Sequence, residues 1–117
     1  MPIHLRQVLA EKLETVISCG DQNTRPRDYY DIFILSRLRR DKISHEILSK
    51  ALISTAEKRS SGKVLQRYRE IMSTVKASSP MQQLWKTYQQ NFSYAQGLEF
   101  EAVCDEVVNI LSEISKD

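Results

Sequence analysis

The sequence predicts an all-α fold, a compact bundle of about six helices, and three observations lead there. Apolar residues recur at spacings of three and four along most of the chain. No stretch alternates β-branched and polar residues as a half-buried strand would. The breakers Pro2, Gly20, Pro26, Gly62, Pro80 and Gly97 fall between the periodic stretches rather than inside them.

Leu5, Val8, Leu9, Leu13, Val16 and Ile17 form the first stripe. Gly20 is placed to end it, because glycine takes the left-handed conformation of a helix C-terminus without a Cβ clash. Pro26 suits the first turn of a second helix, where its missing N–H is no loss. That helix runs through Tyr29, Tyr30, Ile32, Phe33, Ile34, Leu35 and Leu38, apolar nearly all round, and is expected to be the central, most buried one. Ser44 is a good N-cap for a helix carrying Ile47, Leu48, Leu52 and Ile53. After a break at Ser61 and Gly62, Val64, Leu65, Tyr68, Ile71, Met72 and Val75 make one further stripe. Ser79 and Pro80 read as N-cap and first-turn proline ahead of Met81, Leu84, Trp85 and Tyr88. The last helix carries Phe100, Val103, Cys104, Val107, Val108, Leu111 and Ile114. Tyr29, Tyr30, Tyr68, Trp85 and Tyr88 sit at helical spacing and are assigned to the core rather than to a base-stacking platform.

A chain of 117 residues has room for one core, so residues 1–117 are taken as a single helical domain. Its 41% hydrophobic and 27% charged residues exclude a disordered chain. No apolar run is long enough to cross a bilayer, and charges interrupt the N-terminal stretch where a signal peptide would need an apolar core. Cys19 and Cys104 lack CxxC spacing, which fits reduced thiols in a cytoplasmic protein and offers no metal site. Charge is polarised along the sequence: the chain as far as Gly97 is basic, whereas the remainder sets Lys116 against Glu99, Glu101, Asp105, Glu106, Glu113 and Asp117. Internal pairing of the two parts is the expected use of that asymmetry.

Two positions break the apolar pattern. Lys12 projects from the first stripe, four residues after Val8 and four before Val16. Asp31 lies among Tyr30, Ile34 and Leu35, with Asp28 one turn earlier on the same face and Arg25 and Arg27 beside them. A buried or half-buried ion pair of Lys12 with Asp28 or Asp31, joined by Arg27 to Asp31, explains the cluster structurally. A grip on a nucleotide or a metal-bound phosphate explains it functionally, since lysine is a compact point charge suited to phosphate and carboxylates accept Mg²⁺ or a ribose hydroxyl. The readings are compatible, because a paired lysine can change partners. Weaker signals are the Arg40–His45 spacing, used by some helical ribonucleases, and the basic patch Arg37, Arg39, Arg40 and Lys42, which offers an RNA-binding alternative. No Ser/His/Asp set, Gly-rich phosphate loop or His/Cys cluster is present.

The segment LAEKLETVISCGDQNTRPRDYYDIFILSRL carries Ala10-Glu11-Lys12-Leu13 and, after a short loop, Arg25-Pro26-Arg27-Asp28-Tyr29-Tyr30-Asp31. It resembles the second half of the AbiEii/AbiGii toxin family of nucleotidyltransferase-like proteins, whose members pair an "AEKL" helix with an "R-x-(K/R)-D-x-x-D" helix start. The resemblance implies a site in two parts. An α/β half supplies a Gly-Ser turn and a D-x-D pair that hold Mg²⁺ and a nucleoside triphosphate. The helical half closes over it, contributing Lys12 and Asp28, with Arg25, Arg27 and Asp31 binding nucleotide or orienting that pair. No Gly-Ser followed by D-x-D occurs in this sequence. The chain alone is therefore expected to hold neither cofactor nor metal and to be inactive as a transferase. Expected partners are the α/β half or an antitoxin, and a second copy covering Ile3, Leu5, Val8 and Leu9. The alternative function is a non-catalytic helical module that binds a protein partner.

Overall fold

The computed structural model describes residues 5–22, 25–39 and 44–114, the side chains of Leu38 and Arg39 aside. Seven α-helices follow one another within them: α1 (Leu5–Cys19), α2 (Pro26–Arg39), α3 (His45–Arg59), α4 (Gly62–Gln66), α5 (Tyr68–Ala77), α6 (Ser79–Asn91) and α7 (Phe100–Ile114). The all-α expectation holds, and the helix ends follow local chemistry. Gly20 has φ +55° and opens the short 3-10 turn Gly20–Gln22 after α1. Ser44 accepts a hydrogen bond from the Ile47 N–H at 3.1 Å. At the end of α3, Ser60 takes the left-handed conformation and the Ser61 N–H closes onto the Ala56 carbonyl at 2.9 Å.

Three expectations are corrected. The stripe from Val64 to Val75 is two helices, not one, which raises the count above six. Arg67 turns the chain between them, yet its N–H bonds to Val64 and its carbonyl accepts from Ile71, both at 3.0 Å. The break thus leaves those backbone groups satisfied and needs no glycine or proline. The N-cap of α6 is Ser78, not Ser79: its hydroxyl accepts from the Met81 N–H at 3.3 Å, reaching past Pro80, which has no N–H. Finally, α2 is not the most buried helix. Tyr29 and Ile32 are fully enclosed, but Phe33, Ile34 and Leu35 are only partly covered, because the side of α2 carrying Arg27 and Arg37 keeps solvent contact.

The core is built instead on α1 and α7. Leu9, Ala10, Leu13, Val16 and Ile17 of α1 join one cluster with Val103, Cys104, Val107, Ile110, Leu111 and Ile114 of α7. Helix α1 packs against α2 and α3, and α7 against α2, α3 and α5. Burial pushes the Cys104 thiol up to about 12, which keeps it protonated, while Cys19 at the end of α1 is exposed. Acidic α7 meets the basic body as its charge suggested: Asp105 pairs with Lys76 at 2.6 Å, Glu113 lies 3.2 Å from His45, and Ser112 accepts from Arg69 at 3.0 Å. Glu106 is buried and receives a hydrogen bond from Ser36 of α2.

Glu14 is a buried carboxylate that the periodicity did not single out. Burial alone would raise its pKa, but hydrogen bonds from Ser18 at 2.7 Å and Arg59 at 2.5 Å outweigh that and hold it below the ordinary value. A carboxyl depressed in this way stabilises the fold above its unfolded pKa, and the contribution is lost as pH falls through its folded value. Glu14→Gln is expected to lose about 1–2 kcal/mol at pH 7. In urea melts the gap to wild type should narrow below about pH 4. A gap independent of pH would show that the charge of Glu14 contributes nothing.

Candidate functional site

The first turn of α2 lies beside the middle of α1, and this places three charged groups together. The Lys12 ammonium is 3.2 Å from Asp28 Oδ1 and 3.1 Å from Asp31 Oδ2. Only 6% of the Asp28 side chain is exposed, against 23% of Asp31 and 24% of Lys12. Asp28 lies in the first turn of α2, where the unpaired N–H groups favour negative charge, and Asp31 follows one turn later. Arg25 and Arg27 project outward on the same helix start, their Nε atoms 4.0 Å from Asp28 and 3.6 Å from Asp31. The spacing argument is borne out: Lys12, Asp28 and Asp31 meet, and Arg27 joins Asp31 across one helical turn.

These groups line a cleft of about 470 Å³, open to solvent, with Tyr88 and Phe92 of the α6 end as its other wall. Neither aromatic residue was read from the sequence as part of a site. Tyr88 was assigned to the core, and its ring is indeed buried, but one edge of it borders the charged cluster. Its hydroxyl is 2.8 Å from that of Tyr94. Burial, together with that hydrogen bond, pushes the Tyr88 pKa well above the usual tyrosine range, so Tyr88 presents a neutral hydroxyl. The cleft therefore sets three cationic groups and two carboxylates against an aromatic wall, an arrangement with a small surplus of positive charge.

Asp28 and Asp31 do not by themselves suit a divalent cation. The Lys12 ammonium already occupies the position between them, and no group of three or more His, Cys, Asp or Glu side chains able to hold a metal exists among the described residues. The other candidates do not converge. The Arg37 guanidinium lies over the Phe33 ring, 5.0 Å from its centroid. Arg40, Lys42 and the side chain of Arg39 fall outside the described residues, and so does any geometry of an Arg40–His45 pair. Of the residues expected to meet a second copy, Leu9 belongs to the chain's own core, Leu5 is half-buried, Val8 is exposed, and Ile3 lies outside the described residues. A larger groove of about 800 Å³ between α3, α4, α5 and α7 is walled mainly by aliphatic groups such as Leu52, Ile53, Leu65 and Leu111, which does not suit a phosphate. No described helix is long and apolar enough to cross a membrane.

Comparison with known proteins points to a family. The family model described as "Nucleotidyl transferase AbiEii toxin, Type IV TA system" matches residues 3–106, a span that includes the whole cleft. No curated protein and no solved structure matches the chain significantly.

The ion-pair geometry has a direct energetic consequence. Lys12→Met removes the group nearest a carboxylate that is almost wholly buried, and is expected to cost about 1–3 kcal/mol. Asp31→Asn, at a more exposed position, should cost less than about 1 kcal/mol. Adding Asp28→Asn to Lys12→Met should recover part of the loss, because no unpaired charge then remains. Urea melts of the three variants check this order; a Lys12→Met variant as stable as wild type would overturn it.

Proposed function

This chain belongs to the AbiEii family of nucleotidyltransferase-like toxins of type IV toxin–antitoxin systems, and on that premise we propose that its α1–α2–α6 cleft is the helical wall of a nucleotide site. The observation that carries this reading is the Lys12 ammonium, held between Asp28 and Asp31 on the cleft floor while about a quarter of its side chain stays open to solvent. Two carboxylates fix the ammonium more firmly than one would, so it is aimed before a ligand arrives. A phosphate oxygen approaching from the cleft completes its donor set without moving the helix. Lys12 is the group that faces the ligand, and Asp28, the more buried partner, keeps it in place. Asp31 helps to hold the lysine, and the exposed Arg25 and Arg27 gather further phosphate oxygens.

The two carboxylates on this face are engaged by lysine, so the chemistry of phosphoryl transfer is assigned elsewhere. An α/β half bearing Gly-Ser and D-x-D elements would supply it, and the cleft would close over the nucleotide held there. The family description names a toxin–antitoxin system, so an antitoxin is the counterpart expected for the complete system. Binding of that protein by this chain, as a non-catalytic module, is the second reading. The aliphatic groove away from the cleft is the feature that favours it.

The sequence alone predicts no bound nucleotide without the α/β half, but the preformed Lys12 cluster changes that expectation. The chain should bind a nucleoside triphosphate in isothermal titration, and Lys12→Met should weaken binding about ten-fold or more. Incubation with labelled nucleoside triphosphates, Mg²⁺ and a tRNA pool should give no product from this chain alone. Affinity unaffected by Lys12→Met would overturn the site. Labelled product that depends on Asp28 would overturn the division of labour.

A further inference from the structure

Aromatic rings run in unbroken contact from the core to the mouth of the cleft. Phe100 touches Trp85 with centroids 6.0 Å apart, Trp85 touches Tyr88 at 5.5 Å, and Tyr88 touches Phe92 at 4.9 Å. Tyr94 backs the outer end, 5.5 Å from Phe92 and 4.7 Å from Tyr30. The inner rings are buried, as apolar side chains should be, but Phe92 is 43% exposed. Part of its ring thus stays uncovered although it packs on Tyr88 and Tyr94. Its backbone is fixed as the C-cap of α6, with its N–H bonded to the Tyr88 carbonyl at 2.9 Å. Its ring is held on one side by Tyr88 and Tyr94, whose hydroxyls are joined. What remains open borders the same cleft as Lys12, Asp28 and Asp31.

We propose that Phe92 is the surface on which the base of the bound nucleotide stacks, so that the cleft takes an aromatic base at one wall and its phosphates at Lys12. This deepens, and rests on, the nucleotide reading above. A pre-fixed ring loses little entropy on receiving a base, and every base offers a π-face. The residues lining the cleft are Lys12, the α2 start and the two aromatics; none has a side-chain amide to read a base edge, and both aspartates are engaged by cations. Stacking on the ring is itself base-tolerant, with purines favoured over pyrimidines by their larger stacked area.

The test separates stacking from phosphate binding. ATP, UTP and inorganic tripolyphosphate are titrated into the full chain as wild type and as Phe92→Ala, Phe92→Leu, Phe92→Trp and Lys12→Met. Circular dichroism melts verify that each variant folds. Phe92→Ala and Phe92→Leu should weaken ATP about ten-fold and UTP less, leave tripolyphosphate unchanged, and be rescued in Phe92→Trp. Lys12→Met should weaken all three ligands. If Lys12→Met weakens ATP but Phe92→Ala does not, stacking is wrong and the nucleotide cleft stands. If Phe92→Ala weakens ATP and tripolyphosphate equally, the ring only shapes the cleft and stacking is again wrong. If ATP and tripolyphosphate bind without regard to Lys12, or do not bind, the nucleotide reading falls and the stacking inference falls with it.

Discussion

The apolar stripe of α1 is so fully enclosed that the helix cannot carry a charge at its edges without providing for it. Ala10, Leu13 and Val16 are at 0% exposure and Leu9 and Ile17 barely above it. Yet Lys12 and Glu14 flank that stripe, two residues apart and so on opposite sides of it. Each is held by a different neighbour. Lys12 is taken by the two aspartates at the start of α2, and Glu14 by Arg59 at the end of α3 together with its own helix neighbour Ser18. The orientation of α2 and α3 about α1 is thus specified by charge, whereas burial alone would tolerate several rotations.

The two arrangements differ in what they leave open. Glu14 is sealed: its side chain is almost wholly covered, with Ser18 and Arg59 closing over it. Lys12 keeps solvent access beside an open wall of the cleft. A paired ammonium with room on one side can exchange part of its shell for a phosphate, and an enclosed carboxylate cannot. The same physical requirement, pairing of a charge at the rim of a core, therefore yields a structural clamp on one side of α1 and a candidate binding group on the other.

Much of this was legible in sequence because the residues concerned are close along the chain. Lys12, Asp28 and Asp31 lie on two successive helices, so an interruption in a 3.6-residue pattern locates them, and the two short motifs around them point to the same positions. The family match then extends that local likeness over nearly the whole chain. What escaped depends on distant contacts. Glu14 looks like an ordinary solvent-facing residue until Arg59, 45 positions later, is placed against it. Phe92 and Tyr94 follow a helix end, where periodicity no longer says which way a side chain faces. The overestimate of α2 has a similar cause: a run of apolar residues records how much could be buried, and the number of neighbouring helices decides how much is.

The ring ladder also makes the molecule optically self-reporting. Trp85 is the single tryptophan, its indole N–H donates to the Leu98 carbonyl at 2.8 Å, and its ring is one contact from the cleft wall at Tyr88. Enclosed as it is, that indole is expected to emit to the blue of an exposed one, with Tyr88 close enough to pass it excitation energy. Its colour and quantum yield register the seating of α6 on the loop that leads into α7. A single fluorophore, placed by packing rather than by labelling, thus sits on the helix whose end forms one wall of the cleft.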